Sequence, residues 1–185
     1  ELCRKVIKMD LITEKALRLL QNIFSFEKIN KKILPLEREF KPEEEYEYFE
    51  ITNYFEFINE ENIQKLIELA IFMRRESEKN KSYNVAINNL VKYTSIGNYL
   101  NDTRASIDFD DALSKIIHAN DILFEYKSKK GIITYGYIVD KNSKYTGCVL
   151  IEGVKKDGNK YKAIINVIKF CINVFMYTAD RYTMQ

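Results

Sequence analysis

The chain has 185 residues, a net charge of +2 and an apolar fraction of 46%, a composition that suits a globular domain burying roughly 70% of its unfolded surface. One histidine, His118, and three scattered cysteines, Cys3, Cys148 and Cys171, exclude multi-His metal sites and two-His relays and leave no C-x-x-C pair for zinc. The small net charge excludes the whole-molecule field of a dedicated nucleic-acid binder, and no apolar run reaches the ~20 residues of a membrane span.

In chain order, the first stretch, to about residue 119, reads as helical. Ala16, Leu17, Leu19, Leu20, Ile23 and Phe24 give a broad apolar face between Asp10 and Phe26. Lys28 to Phe40 carries Pro35 and no clear period, which predicts a loop. Pro42 suits a first helical turn, and Glu43, Glu44 and Glu45 suit the positive end of a helix dipole. Tyr46, Phe49 and Asn53 follow at helical spacing. Asn59, with Glu60 and Glu61 behind it, reads as the N-cap of a further helix whose buried stripe is Ile63, Leu66, Ile67 and Ala70. Arg74 and Arg75 fall in its last turn. Ser82 is read as the cap of another helix, carrying Ala86, Ile87, Leu90 and Val91, with Gly97 as its stop. Asp108 caps the last of the series, where Phe109, Ala112, Leu113, Ile116 and Ile117 hold an i, i+3, i+4, i+7, i+8 pattern.

The second stretch changes period. Ile122 to Lys127 alternates and predicts a strand. Ser128-Lys-Lys-Gly131 is a turn, and Ile132 to Val139 a second strand rich in β-branched and aromatic residues. Gly147 to Val154 is a third. Asp157-Gly158 predicts a type I′ hairpin, with Tyr161 to Ile165 returning. Val167, Ile168, Cys171, Val174 and Phe175 predict a closing amphipathic helix. The expected fold is α+β in a single domain over 1–185. Its N-terminal helical part (1–119) packs with a three- to four-stranded antiparallel sheet and a C-terminal helix (120–185).

Chemistry is sparse. His118 ends a helix, where it serves either as a general base or as a residue hydrogen-bonding a terminal carbonyl. Ser114, four residues earlier, shares its face, but no glycine elbow holds that serine in a strained turn. Asp108, Asp110, Asp111 and Asp121 lie near His118, yet acidic residues at helix starts are expected for dipole reasons alone. The six glycines form neither a Walker-type loop nor G-x-G-x-x-G, so neither a cofactor nor a metal is expected.

Charge is unevenly placed. Eight glutamates and no Lys or Arg fall between Glu43 and Glu61. The aromatic–acidic run there suits a basic protein partner, through Glu44, Glu47, Tyr48, Glu50, Tyr54 and Glu56. The sheet region is basic, with tyrosines interleaved. Lys129, Lys130, Tyr135, Tyr137 and Lys156 would form a nucleic-acid surface in an RNA-binding alternative.

Ala112-Leu-Ser-Lys-Ile-Ile-His-Ala119, followed by a strand and a closing helix with Phe170 and Cys171, resembles a group of uncharacterised bacterial proteins over about a third of the chain. More distantly, a helix ending in a lone histidine is similar to the HEPN helical RNase superfamily. The superfamily motif places an arginine a few residues before the histidine, and Asp111, Ala112 and Leu113 stand there instead. That resemblance implies RNA binding or cleavage by His118. The residues themselves favour a non-enzymatic, cytoplasmic protein-binding module without a membrane partner: an immunity- or antitoxin-type inhibitor of a basic toxin or nuclease. The odd cysteine count fits a reducing compartment, and the start Glu1-Leu-Cys-Arg-Lys, lacking Met and a signal segment, reads as a trimmed or mature end.

Overall fold

The computed structural model describes residues 11–25, 45–79, 93–100, 105–136 and 143–183, with side chains from Phe57 onward in the second segment and up to Thr178 in the last. Helix α1 covers 11–25 and α2 runs Glu45–Lys79. Strands β1 (Gly97–Tyr99) and β2 (Ser106–Ile107) precede α3 (Phe109–Ile117). Then come β3 (Asp121–Lys127), β4 (Ile133–Tyr135), β5 (Lys144–Val154), β6 (Lys160–Asn166) and α4 (Val167–Thr183). The strands form one antiparallel sheet in the order β2-β1-β6-β5-β3-β4.

Alternation decides which face of the sheet is covered. Ile122, Phe124 and Tyr126 of β3 are buried, as are Val149 and Ile151 of β5 and Tyr161, Ala163 and Ile165 of β6. They share a core with Ile12, Ala16, Leu19 and Ile23 of α1, Leu66, Leu69 and Met73 of α2, Phe109 and Leu113 of α3, and Phe170 and Val174 of α4. Each fully buried large side chain of this kind stabilises the fold by roughly 1.5–3 kcal/mol. Leu123, Glu125 and Lys127 take the opposite face.

Mixed helix and antiparallel sheet is the expected class, but the sheet has six strands, where three or four were expected. The two extra strands lie in the stretch read as helical. At three and two residues they are too short to display an alternating period. Gly97 is no helix stop: it opens β1, where a Cβ would stand 2.3 Å from the Ile164 carbonyl oxygen. The expected helix after Ser82 lies outside the described residues, as does Pro42.

Helix α2 corrects a second expectation. Asn59 is not an N-cap, because the helix passes through it without a break. No proline or glycine separates the two predicted segments, and the Asn59 amide oxygen accepts the Tyr126 hydroxyl at 2.7 Å instead of a backbone N–H. Asp108 does cap α3, accepting the Asp111 N–H at 2.8 Å. Arg74 joins α2 to α3 by donating to Asp110 at 3.0 Å, and it also donates to Glu78, one turn on in its own helix, at 2.9 Å. Helix α1 lies antiparallel to α2, since Lys15 pairs with Glu68 and Asn22 donates to Asn62.

Two hairpins share one turn. Ser128 N–H donates to the Ile132 carbonyl, and Gly131 N–H returns to the Ser128 carbonyl. Lys155, Asn159 and Gly158 repeat both bonds. Gly131 and Gly158 each have φ +83°. This is a three-residue loop, a type I turn followed by a left-handed glycine. The hairpin at Asp157-Gly158 is therefore as expected, but its turn is not type I′. That turn needs positive φ at Asp157 as well, and among the described residues only glycines have it.

The entry to β1 is pinned from outside the sheet. Asn173, fully buried in α4, accepts the Tyr93 N–H at 3.0 Å and donates to the Tyr93 carbonyl at 2.9 Å.

Candidate functional site

The acidic–aromatic run lies mostly on α2. Glu47, Tyr48, Glu50, Tyr54 and Glu56 are on its first turns, and Glu44 lies outside the described residues. The helix meets the sheet at Asn59, beside the end of β3. From there toward its N-terminus it continues for roughly 20 Å at 1.5 Å per residue. Phe57, the first described side chain, is 64% exposed. Helical periodicity sets Glu50 two turns before Phe57 and Tyr54 one turn before it, so the three share a stripe. The buried residues Asn62, Leu66, Leu69 and Met73 occupy the other side of the helix.

The basic residues divide between two places. β3 and β5 run in opposite directions, with Lys127 opposite Lys144 and Asp121 opposite Glu152. The loop holding Lys129 and Lys130 therefore sits at one end of the sheet, and the loop holding Lys156 at the other. The length of β5 puts them about 30 Å apart. Tyr135 is half-buried on β4, opposite Glu125. Burial, with Glu125 next, raises its hydroxyl pKa. Tyr137 lies outside the described residues. The structure thus joins Lys129, Lys130 and Tyr135 in one hairpin and separates them from Lys156.

His118 is exposed at the C-terminal cap of α3, and its N–H donates to the Ser114 carbonyl at 3.1 Å. The contact between the two residues is thus a backbone one. Cys148 lies beside an irregularity in β5, with Glu125 and Thr146 around it. Burial first, and Glu125 second, hold its thiol above the ordinary value of 9.0. It stays protonated at neutral pH and is a poor nucleophile. Burial likewise raises Cys171. Among the described residues no three His, Cys, Asp or Glu side chains converge as a metal ion would require, and no helix is long and apolar enough to cross a membrane.

Sequence reasoning passed over Ile132 and Ile133, each 49% exposed at the β3–β4 hairpin. The signal was present. Two consecutive isoleucines in a strand point to opposite faces, so both cannot join one core. No protein-family model, curated protein or solved structure matches the chain.

Proposed function

We propose that this chain is a non-enzymatic protein-binding module of the immunity or antitoxin kind, holding a basic toxin or nuclease through the first turns of α2. The observation that carries the reading is the continuity of that helix from Glu45 to Asn59 and onward into the core. A run of glutamates and aromatics that is already helical loses little conformational entropy on docking. Exposed Phe57 supplies an apolar anchor on the stripe that carries Glu50 and Tyr54. Acidic charge around such an anchor favours a basic partner and accelerates encounter with it. The alternative, RNA binding or cleavage, gains less support, because Lys156 lies far from Lys129 and Lys130.

The test starts from the partner that co-purifies with the native protein. Reversing Glu44, Glu47 and Glu50 to Lys slows association, and the remaining rate loses its dependence on salt. Reversing Lys129, Lys130 and Lys156 leaves association unchanged. If the lysine set abolishes binding while the glutamate set is silent, the protein-inhibitor reading is wrong. A thousandfold loss of ribonuclease activity in folded His118→Ala would instead establish the RNA-cleaving alternative.

A further inference from the structure

The β3–β4 hairpin tip joins exposed lysines to two exposed isoleucines. Lys127, Lys129 and Lys130 are exposed and have no carboxylate partner among the described residues. Ile132 and Ile133 stand beside them, 49% exposed. Ile133 pairs with Lys127 and Ile132 with Ser128, so the isoleucines project from opposite faces of the ribbon. The turn is held firmly. Buried Ser128 accepts the Ile132 N–H on its hydroxyl at 3.0 Å, in addition to the two backbone bonds of the loop.

We propose that this tip docks on a bilayer surface carrying anionic lipid headgroups. The lysines supply attraction to the negative leaflet. The isoleucines supply what lysines alone lack, aliphatic groups that bury at the boundary between headgroups and acyl chains. Single-stranded nucleic acid is instead held by aromatic platforms on which bases stack, and the loop residues 128–132 include no aromatic side chain. Glu125 lies on β3, and Glu60 and Glu61 follow Asn59, the α2 residue bonded to Tyr126 at the base of the hairpin. Glu61 is already paired with Lys65. No helix has to insert, so the absence of a long apolar helix among the described residues does not bear on this mode of contact.

The second hairpin is the internal control. It has the same turn, but Asp157 stands where Lys130 stands, and Asn159 where Ile132 stands. Vesicle co-sedimentation of the full chain tests the proposal. The chain should bind equimolar phosphatidylcholine–phosphatidylserine vesicles and not phosphatidylcholine alone. Lys129→Glu and Lys130→Glu should weaken binding by at least about fivefold per lysine. Ile132→Ser with Ile133→Ser should weaken it at every salt concentration, and Lys156→Glu should leave it unchanged. Soluble glycerophosphoserine should not displace the chain, which separates a bilayer from a free anion. Equal binding to both vesicle types would overturn the proposal. So would Lys156→Glu acting as strongly as Lys129→Glu, or binding of a single-stranded RNA oligonucleotide in place of vesicles.

Discussion

The two hairpins at opposite ends of the sheet share a backbone and differ in what they carry. Ser128-Lys-Lys-Gly-Ile132 and Lys155-Lys-Asp-Gly-Asn159 close with the same pair of hydrogen bonds and the same left-handed glycine. In the first, the residue opening the turn is a buried serine whose hydroxyl braces the loop from within. In the second, bracing comes from outside: Asp157 accepts the Asn159 N–H and its side-chain amide, each at 3.0 Å. One tip therefore keeps its lysines unopposed and its isoleucines exposed, while the other neutralises part of its charge and ends in a polar residue. Identical turns do not imply identical surfaces, because the two central loop positions leave side-chain identity free.

The largest expected effect tests whether the turns are alike. Gly131→Ala and Gly158→Ala should each cost about 1–2 kcal/mol, since an L-residue is strained at that φ. A Cβ meets nothing within 4 Å at either site, so sterics adds no difference. Chemical denaturation giving values more than 1 kcal/mol apart would show that the loops are not equivalent. Next in size is Ser128→Ala. It strips the Ile132 N–H of a buried acceptor and should cost about 1 kcal/mol, whereas Lys155→Ala at the matching position should change stability by less than about 0.5 kcal/mol.

A smaller effect depends on pH. The Asn159 N–H, then the Asn159 side-chain amide, hold the Asp157 carboxyl below its ordinary value of 3.8. The folded pKa is depressed, so the stabilisation is fully present above 3.8 and is lost as pH falls through the folded value. In an NMR titration the Asn159 amide proton should move only in that acidic range. The Ile132 amide proton, bonded to a serine hydroxyl, should stay still. The smallest effect is Lys130→Asp, which should leave thermal stability within about 0.5 kcal/mol and change only what the tip binds.

The legible parts of the fold were those with many repeats of a period. The α3 pattern from Phe109 to Ile116, headed by the Asp108 cap, and strands β3, β5 and β6 follow from residues that alternate or recur; of the expected strand Ile132–Val139, β4 keeps only Ile133–Tyr135 before Gly136, and residues 137–139 lie outside the described residues. What escaped had too few residues to show a period, as in β1 and β2, or depended on a distant partner. Asn59 looks like a cap because nothing local reveals that Tyr126 will take its amide oxygen. The two-place division of the lysines was also hidden, since strand direction, not spacing, sends Lys130 and Lys156 to opposite ends.

Asn173 has a consequence for alignment. β1 contributes only three residues to its ladder with β6, too few to fix their own position against a neighbour that would accept a shift of two. The side-chain amide of Asn173 bonds both the backbone N–H and the backbone carbonyl of Tyr93, as another strand would. Tyr93 lies four residues before Gly97, so the helix acts as an index mark that delivers Gly97, and no bulkier residue, to the narrow place against Ile164.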